Sequence, residues 1–75
     1  MTKIKELFKA IEREDIDESM QNLLSDGHID SLDIMALVAA IEKQYKKPLQ
    51  AKFIEAENFE SFKAIKAMLQ KAFEE

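Results

Sequence analysis

Apolar residues recur with a helical spacing in three parts of the chain, and no segment alternates apolar and polar residues as a strand does. Thr2 precedes the first of these parts and can serve as an N-cap. This part predicts a helix whose buried face is formed by Ile4, Leu7, Phe8 and Ile11.

The second helix is predicted from Ser31 to Tyr45 or Lys46. Asp30 is a residue type that favours the N-cap, and Asp33 occupies the third helical position. A carboxylate at that position suits the unpaired amides and the helix dipole. The face that turns towards the core is predicted to be an apolar stripe of Ile34, Leu37, Val38, Ile41 and Tyr45.

Between these two helices, residues 14–30 lose the helical period and contain the only glycine, Gly27. A connection this long in a compact domain is usually functional or disordered. Its spaced apolar residues predict instead that it is pinned across the helices, with a short turn near residues 19–24. These residues are Ile16, Met20, Leu23, Leu24 and Ile29.

After the second helix, Pro48 cannot continue the helical hydrogen bonds. The following segment, LQAKFIEAENFE, is too short and irregular for a long helix and is predicted to hold one helical turn. Ser61 then caps the last helix. The apolar stripe of that helix is Phe62, Ile65, Met68, Leu69, Ala72 and Phe73.

These elements predict an all-α fold, a small four-helix bundle with three long helices, one short helix and a long first loop. With 75 residues, the chain is expected to form one domain, residues 1–75, which buries about 60% of the surface that its unfolded chain exposes. The absence of cysteine excludes disulfides, a cysteine nucleophile and thiolate metal ligands. Stability is therefore expected to come from packing.

The charge balance narrows the classes of partner. Fifteen acidic and eleven basic residues give a net charge of −4, the wrong sign for binding nucleic acid or anionic lipid. The first residues lack the apolar segment of a signal peptide or membrane span, so a cytoplasmic protein is expected. Partners with basic patches are expected, because acids opposed only by Arg13 surround the approach to Ser31: Glu12, Glu14, Asp15, Asp17, Glu18, Asp26, Asp30 and Asp33.

Leu32, Met35 and Ala39 are apolar residues of the second helix that fall outside its predicted core stripe. Met35 and Ala39 follow Ser31 at four-residue steps and therefore share a line along the helix. Such residues can fill gaps in a small core. Exposed beside a charged rim, they would instead form a docking surface.

The stretch DSLDIMALVAAIEKQY resembles the modification site and second helix of the acyl carrier proteins. The resemblance covers nearly the whole chain, and LLSDGHIDSLDIMALVAAIEKQY with ENFESFKAI is also similar to the D-alanyl carrier proteins. It implies a carrier without catalytic activity, with 4'-phosphopantetheine attached to Ser31. A phosphopantetheinyl transferase, an acyl- or aminoacyl-loading enzyme and downstream transferases would then read a surface that includes Asp30, Leu32, Asp33, Met35 and Glu42.

The chain departs from the fatty-acid carriers at Ala36, Lys43 and Gln44, where several of them carry carboxylates. A dedicated set of partners is therefore expected in place of the general fatty-acid enzymes. Carboxylates on both sides of Ser31 are expected to keep the arm from folding back on the protein. A carrier that docks with several enzymes in turn is expected to be a monomer and to dock with low affinity in a salt-sensitive way.

Other chemistries fit the same segment less well. His28, Asp30 and Ser31 have the residue types of a hydrolytic triad but are nearly consecutive, so they cannot readily converge in a pocket. Asp26, His28 and Asp30 could approach a metal ion, although no second cluster supports them. A calcium loop starting at Asp15 lacks its glycine and its bidentate glutamate. An unmodified helical adaptor that binds a partner through Leu32 and Met35 is the alternative function.

Overall fold

A computed structural model describes residues 4–73 of the chain, and this part is all-helical. Helix α1 spans Ile4–Ala10, α2 spans Ser31–Tyr45 and α3 spans Phe62–Phe73. Two 3-10 turns, Ala51–Phe53 and Ala56–Phe59, lie between α2 and α3. Within residues 4–73 there is no strand, and none of the helices has the length and apolar character needed to cross a membrane.

Helix α1 ends before Ile11, the last residue of its predicted apolar stripe, because the chain turns out of the helix after Ala10. The backbone amide of Arg13 donates to the Phe8 carbonyl at 2.8 Å, and that of Glu12 donates to the Lys9 carbonyl at 3.0 Å. With Glu12 in the left-handed region at φ 62°, these bonds form a Schellman ending. The described part of α1, Ile4–Ala10, is seven residues long, and Thr2, its expected cap, lies outside the described residues.

The end of α1 at Ala10 places Ile11 outside the helix. Ile11 was expected on the buried stripe of the first helix but lies in the turn that follows α1. Its side chain is half-buried and still packs against the core. The apolar pattern thus identified a core contact correctly, whereas the end of the helix was set by the Schellman hydrogen bonds.

Helix α2 has the bounds that the sequence predicts. The Asp30 carboxylate accepts a hydrogen bond from the Asp33 amide at 2.9 Å, and the Asp33 carboxylate accepts one from the Asp30 amide at 3.1 Å. This reciprocal pair is a capping box. At the other end, Lys46 follows Tyr45 in the left-handed conformation, at φ 57° and ψ 33°.

The long first loop is pinned to the helices, as predicted, because Ile16, Leu23 and Ile29 are buried in the core. Its helical turn lies slightly later than expected, where the Asp26 amide donates to the Asn22 carbonyl at 2.7 Å. Gly27 follows with φ 78°, a conformation that favours glycine. The loop is ordered by apolar anchors despite its length and charge.

The segment after α2 forms two 3-10 turns in place of one helical turn. The Asn58 side-chain amide donates to the Phe53 carbonyl at 2.9 Å, at the junction between the turns. This segment contains no α-helix, so a four-helix bundle is not confirmed by the described residues. The Ser61 hydroxyl accepts the Ala64 amide at 3.1 Å, which confirms Ser61 as the cap of α3.

The core is shared by all three helices and the connecting segments. The Phe8 and Phe62 rings stack at 5.2 Å between α1 and α3, and the Tyr45 and Phe73 rings stack at 4.1 Å between α2 and α3. The buried apolar side chains are Ile4, Leu7, Phe8, Ile16, Leu23, Ile29, Ile34, Leu37, Val38, Ile41, Leu49, Phe59, Ile65, Met68 and Leu69. Because α2 is held along this stripe, its opposite face and its first two residues, Ser31 and Leu32, remain on the surface.

Candidate functional site

Ser31 is exposed at the first position of α2, as the sequence predicts. Asp30 and Asp33, which form the capping box, lie one residue before and two residues after it in the chain. Ile29, two residues earlier, is 2% exposed and anchors the end of the loop in the core. The Ser31 side chain is therefore accessible on a backbone that is held on both sides.

Arg13 connects the start of the long loop to this site, a contact that the sequence analysis missed. Its Nη1 donates to Asp33 Oδ2 at 2.5 Å, its Nε donates to Asp15 Oδ1 at 3.1 Å, and its Nη2 also donates to the His28 carbonyl. The pKa of Asp15 is lowered mainly by its hydrogen bond from Arg13. The isolation of Arg13 among acidic residues was the signal that could have identified it.

Asp33 is consequently not a free surface carboxylate. Its side chain is 22% exposed, and the same Oδ2 accepts from both the Asp30 amide and Arg13. The sequence-based argument that Asp30 and Asp33 both place negative charge beside Ser31 therefore needs correction. Asp33 shares the positive charge of Arg13 with Asp15, whereas the Asp30 carboxylate is exposed.

Leu32 and Met35 form an exposed apolar patch beside Ser31. Their side chains are 77% and 64% exposed, and they are the mostly exposed large apolar side chains among residues 4–73. Ala39 extends this surface along α2 and is also exposed. The prediction that these residues lie outside the core stripe is confirmed.

Glu42 also lies on α2 but is half-buried. Its Oε2 accepts a hydrogen bond from the Leu49 amide at 2.8 Å, so it supports the segment that follows the helix. Like Asp33, it has a structural interaction where the sequence analysis expected a free recognition carboxylate. That either residue contacts a partner stays a prediction.

Three residues where the chain departs from the fatty-acid carriers lie together. Ala36, Lys43 and Gln44 line an open groove between α1 and α2. Lys43 and Gln44 are exposed, and Ala36 is half-buried. This side of α2 therefore lacks the carboxylates expected of a strongly acidic recognition helix.

The structure does not assemble the other candidate sites. The hydrogen bond of His28 is made by its backbone carbonyl, and its ring makes none to the Ser31 hydroxyl. Within residues 4–73, no group of three or more acidic or histidine side chains could hold a metal ion, and this includes Asp26, His28 and Asp30. Asp17 lies in the segment that was compared with a calcium loop. It accepts hydrogen bonds from the hydroxyl and the amide of Ser19, and these bonds lower its pKa.

The surroundings of Ser31 fit a covalently attached phosphodiester. The hydroxyl is exposed at the amino end of a 15-residue helix, where the dipole and the first amides favour negative charge. Arg13 offsets the charge of Asp33 close to this point. Because Ser31 is exposed, a group attached to its hydroxyl would project from the surface.

Comparisons of this chain with protein families, with curated proteins and with solved structures found no match. The geometry of the site is therefore the basis for a functional proposal.

Proposed function

We propose that the chain is a carrier protein that bears 4'-phosphopantetheine on Ser31 and moves a thioester-bound acyl or aminoacyl group between enzymes. The observation that supports this most strongly is the position of Ser31. It is an exposed hydroxyl on a rigid helix start, directly beside the exposed side chains of Leu32 and Met35. An attachment serine needs both an exposed hydroxyl and a binding surface beside it, because the modifying enzyme must reach the hydroxyl and bind the protein next to it.

The surroundings of Ser31 suit a carrier better than a catalyst. A nucleophilic serine requires a base within hydrogen-bonding reach and a third group that orients this base. The His28 ring makes no hydrogen bond to Ser31, and the Asp30 carboxylate is engaged by the Asp33 amide. The transferase would supply the base, so the carrier itself has no catalytic residue.

In the transfer from coenzyme A, the Ser31 oxygen forms a bond to phosphorus as adenosine bisphosphate leaves. The serine proton passes to a base of the transferase. When attached, the arm supplies a terminal thiol that holds the cargo as a thioester. The capping box keeps the attachment point at a constant place relative to the Leu32/Met35 patch.

Recognition by partner enzymes would use the Leu32/Met35 patch and the exposed Asp30 carboxylate. Apolar contact is expected to contribute more than charge, because Asp33 is ion-paired with Arg13 and Glu42 is half-buried. The loading enzyme and downstream transferases are expected to present an apolar recess with a small basic rim. We further propose a monomeric, cytoplasmic carrier in which the two 3-10 turns replace the short third helix of a carrier bundle.

The first experiment is incubation of the purified protein with coenzyme A and a broad-specificity phosphopantetheinyl transferase. Intact mass and peptide mapping should show one added phosphopantetheine, located on Ser31. Ser31→Ala should gain nothing, and Ser19→Ala, the same change at an exposed serine of the long loop, should be modified like the wild type. An unmodified wild type beside a working control carrier would overturn the proposal.

The exposed apolar pair also favours a second candidate function. An unmodified helical adaptor would bind an apolar groove of a partner through Leu32 and Met35, whose side chains are largely exposed. The adaptor and the carrier share this surface. They differ in whether the Ser31 hydroxyl is required.

A further inference from the structure

We propose that Arg13 is a positioning residue for the modification of Ser31, an inference that rests on the proposed carrier function. Arg13 lies at the start of the long loop and reaches across to the start of α2. Its hydrogen bonds go to Asp15, His28 and Asp33, and it makes none to Ser31 or Leu32 in the described structure. It acts through the two chain segments that enclose the serine.

The contacts of Arg13 hold both of these segments. Its Nη1 donates to Asp33 Oδ2 at 2.5 Å, two residues after Ser31. Its Nη2 donates to the backbone carbonyl of His28, three residues before Ser31. One planar guanidinium thus ties the loop before the serine to the helix turn after it.

The oxygen that Arg13 binds is also part of the capping box. Asp33 Oδ2 accepts the Asp30 amide at 3.1 Å, so Arg13 orients the atom that closes the reciprocal pair. Asp15 in turn accepts Arg13 Nε at 3.1 Å and Nη2 at 3.3 Å, which orients the guanidinium. The Arg13 and Asp33 side chains are 27% and 22% exposed, so their pair is partly shielded from water, whereas the Asp15 side chain is 65% exposed.

This arrangement predicts a particular kinetic effect. The transferase binds one geometry of the junction around Ser31. Without Arg13, the junction would adopt that geometry for only part of the time. The apparent affinity of the transferase for the carrier then falls in proportion to the fraction of carrier molecules in that geometry. The rate of phosphopantetheine transfer within the bound complex is unchanged. Loss of Arg13 should therefore raise KM for the carrier and leave kcat nearly unchanged.

Charge alone predicts the opposite effect. Removing Arg13 makes the chain more acidic and frees the Asp33 carboxylate, which would attract a basic transferase and lower KM at low salt. The direction of the change in KM consequently separates positioning from simple charge. Arg13→Lys keeps the charge but cannot reproduce the planar fork, and it should give an intermediate KM.

The test uses Arg13→Gln, Arg13→Lys and a control, Lys66→Gln, which removes the same charge from an exposed position on α3. Steady-state transfer of phosphopantetheine from coenzyme A is measured with each carrier, together with circular dichroism and amide exchange at Asp33. We expect a rise in KM of roughly five-fold for Arg13→Gln with kcat within about two-fold. Exchange at the Asp33 amide should be faster, and the control should match the wild type.

Several results would overturn the inference. A folded Arg13→Gln with unchanged KM, with a lower KM, or with a loss confined to kcat removes the positioning role while the carrier function survives. A wild type that is never modified removes the carrier function and this inference with it. If Arg13→Gln is unfolded, Arg13→Lys decides the matter, because an unchanged KM in that variant would overturn the proposal.

Discussion

The Glu60 carboxylate accepts a hydrogen bond of 2.8 Å from the backbone amide of Leu24, a residue 36 positions earlier in the chain. It also accepts the Ser25 amide at 3.0 Å and the Ser25 hydroxyl. The Glu60 backbone carbonyl accepts the Leu23 amide at 2.8 Å. Glu60, which lies two residues before the start of α3, therefore anchors the loop that leads to Ser31.

These bonds make Glu60 a source of acid sensitivity. They lower its pKa below the ordinary glutamate value of 4.5, and the largest cause is the hydrogen bond from the Ser25 hydroxyl. A depressed carboxylate pKa in the folded protein means that the charged form stabilises the fold above the unfolded-state pKa. This contribution is lost as the pH falls through the folded-state pKa.

Glu60→Gln should accordingly lower the melting temperature at pH 7, and its difference from the wild type should shrink as the pH falls below about 4.5. Thermal unfolding across this pH range measures the effect. Glu57→Gln, a matched change at an exposed glutamate, is the control. A difference between Glu60→Gln and the wild type that is constant with pH would contradict the prediction.

Leu37 and Met35 lie on opposite sides of α2, and truncating them should have different consequences. Leu37 is 1% exposed, so Leu37→Ala should cost about 2–5 kcal/mol of unfolding free energy. Met35 is 64% exposed, so Met35→Ala should change it by only about 0.5 kcal/mol or less while weakening docking to the transferase. Denaturant unfolding and transferase KM measure the two effects, and equal stability losses would place Met35 in the core.

Ser31→Ala separates the carrier from the adaptor. The exposed hydroxyl can be removed with little effect on the fold, and stability should change by less than about 0.5 kcal/mol. A carrier with this change would lose thioester loading completely. Complementation of a strain that lacks the chain provides the decisive readout, because full activity of the variant would favour the adaptor.

Lys46 offers a test of the helix ending. Its left-handed conformation at φ 57° is unfavourable for a side chain with a Cβ and natural for glycine. Lys46→Gly should raise the unfolding free energy by about 0.5–1 kcal/mol, after the greater freedom of glycine in the unfolded chain is included. Lys46→Ala removes the charge without relieving the backbone and should bring no such gain. Equal effects of the two variants would show that charge, and not conformation, decides this position.

Helix α2 shows where sequence-based prediction works well. Its cap at Asp30 and its first residue Ser31 were predicted correctly, and its end at Tyr45 is one of the two positions predicted, Tyr45 or Lys46. Local signals decide these points, because a capping box needs only residues three apart and a helix end needs only the adjacent backbone. The exposure of Leu32 and Met35 also followed from their place outside the apolar stripe.

The end of α1 and the form of the segment after α2 were predicted less well. The apolar period continues through Ile11, whereas the helix ends at Ala10 because Glu12 adopts a left-handed conformation. A glutamate in the sequence does not indicate such a conformation. In the later segment, LQAKFIEAENFE suggested a helical turn and formed two 3-10 turns. Short elements of this kind depend on a few hydrogen bonds that composition does not reveal.

By itself, the sequence determined the helical class, the core face of α2 and the exposed serine at its start, because helical periodicity and capping act over a few residues. Only the tertiary structure decided which charges near Ser31 remain free. Arg13 reaches Asp33 across 20 residues, and Glu60 reaches Leu24 across 36. Such pairings depend on how the loop crosses the helices, and a carboxylate has the same sequence signature whether it faces water or an arginine.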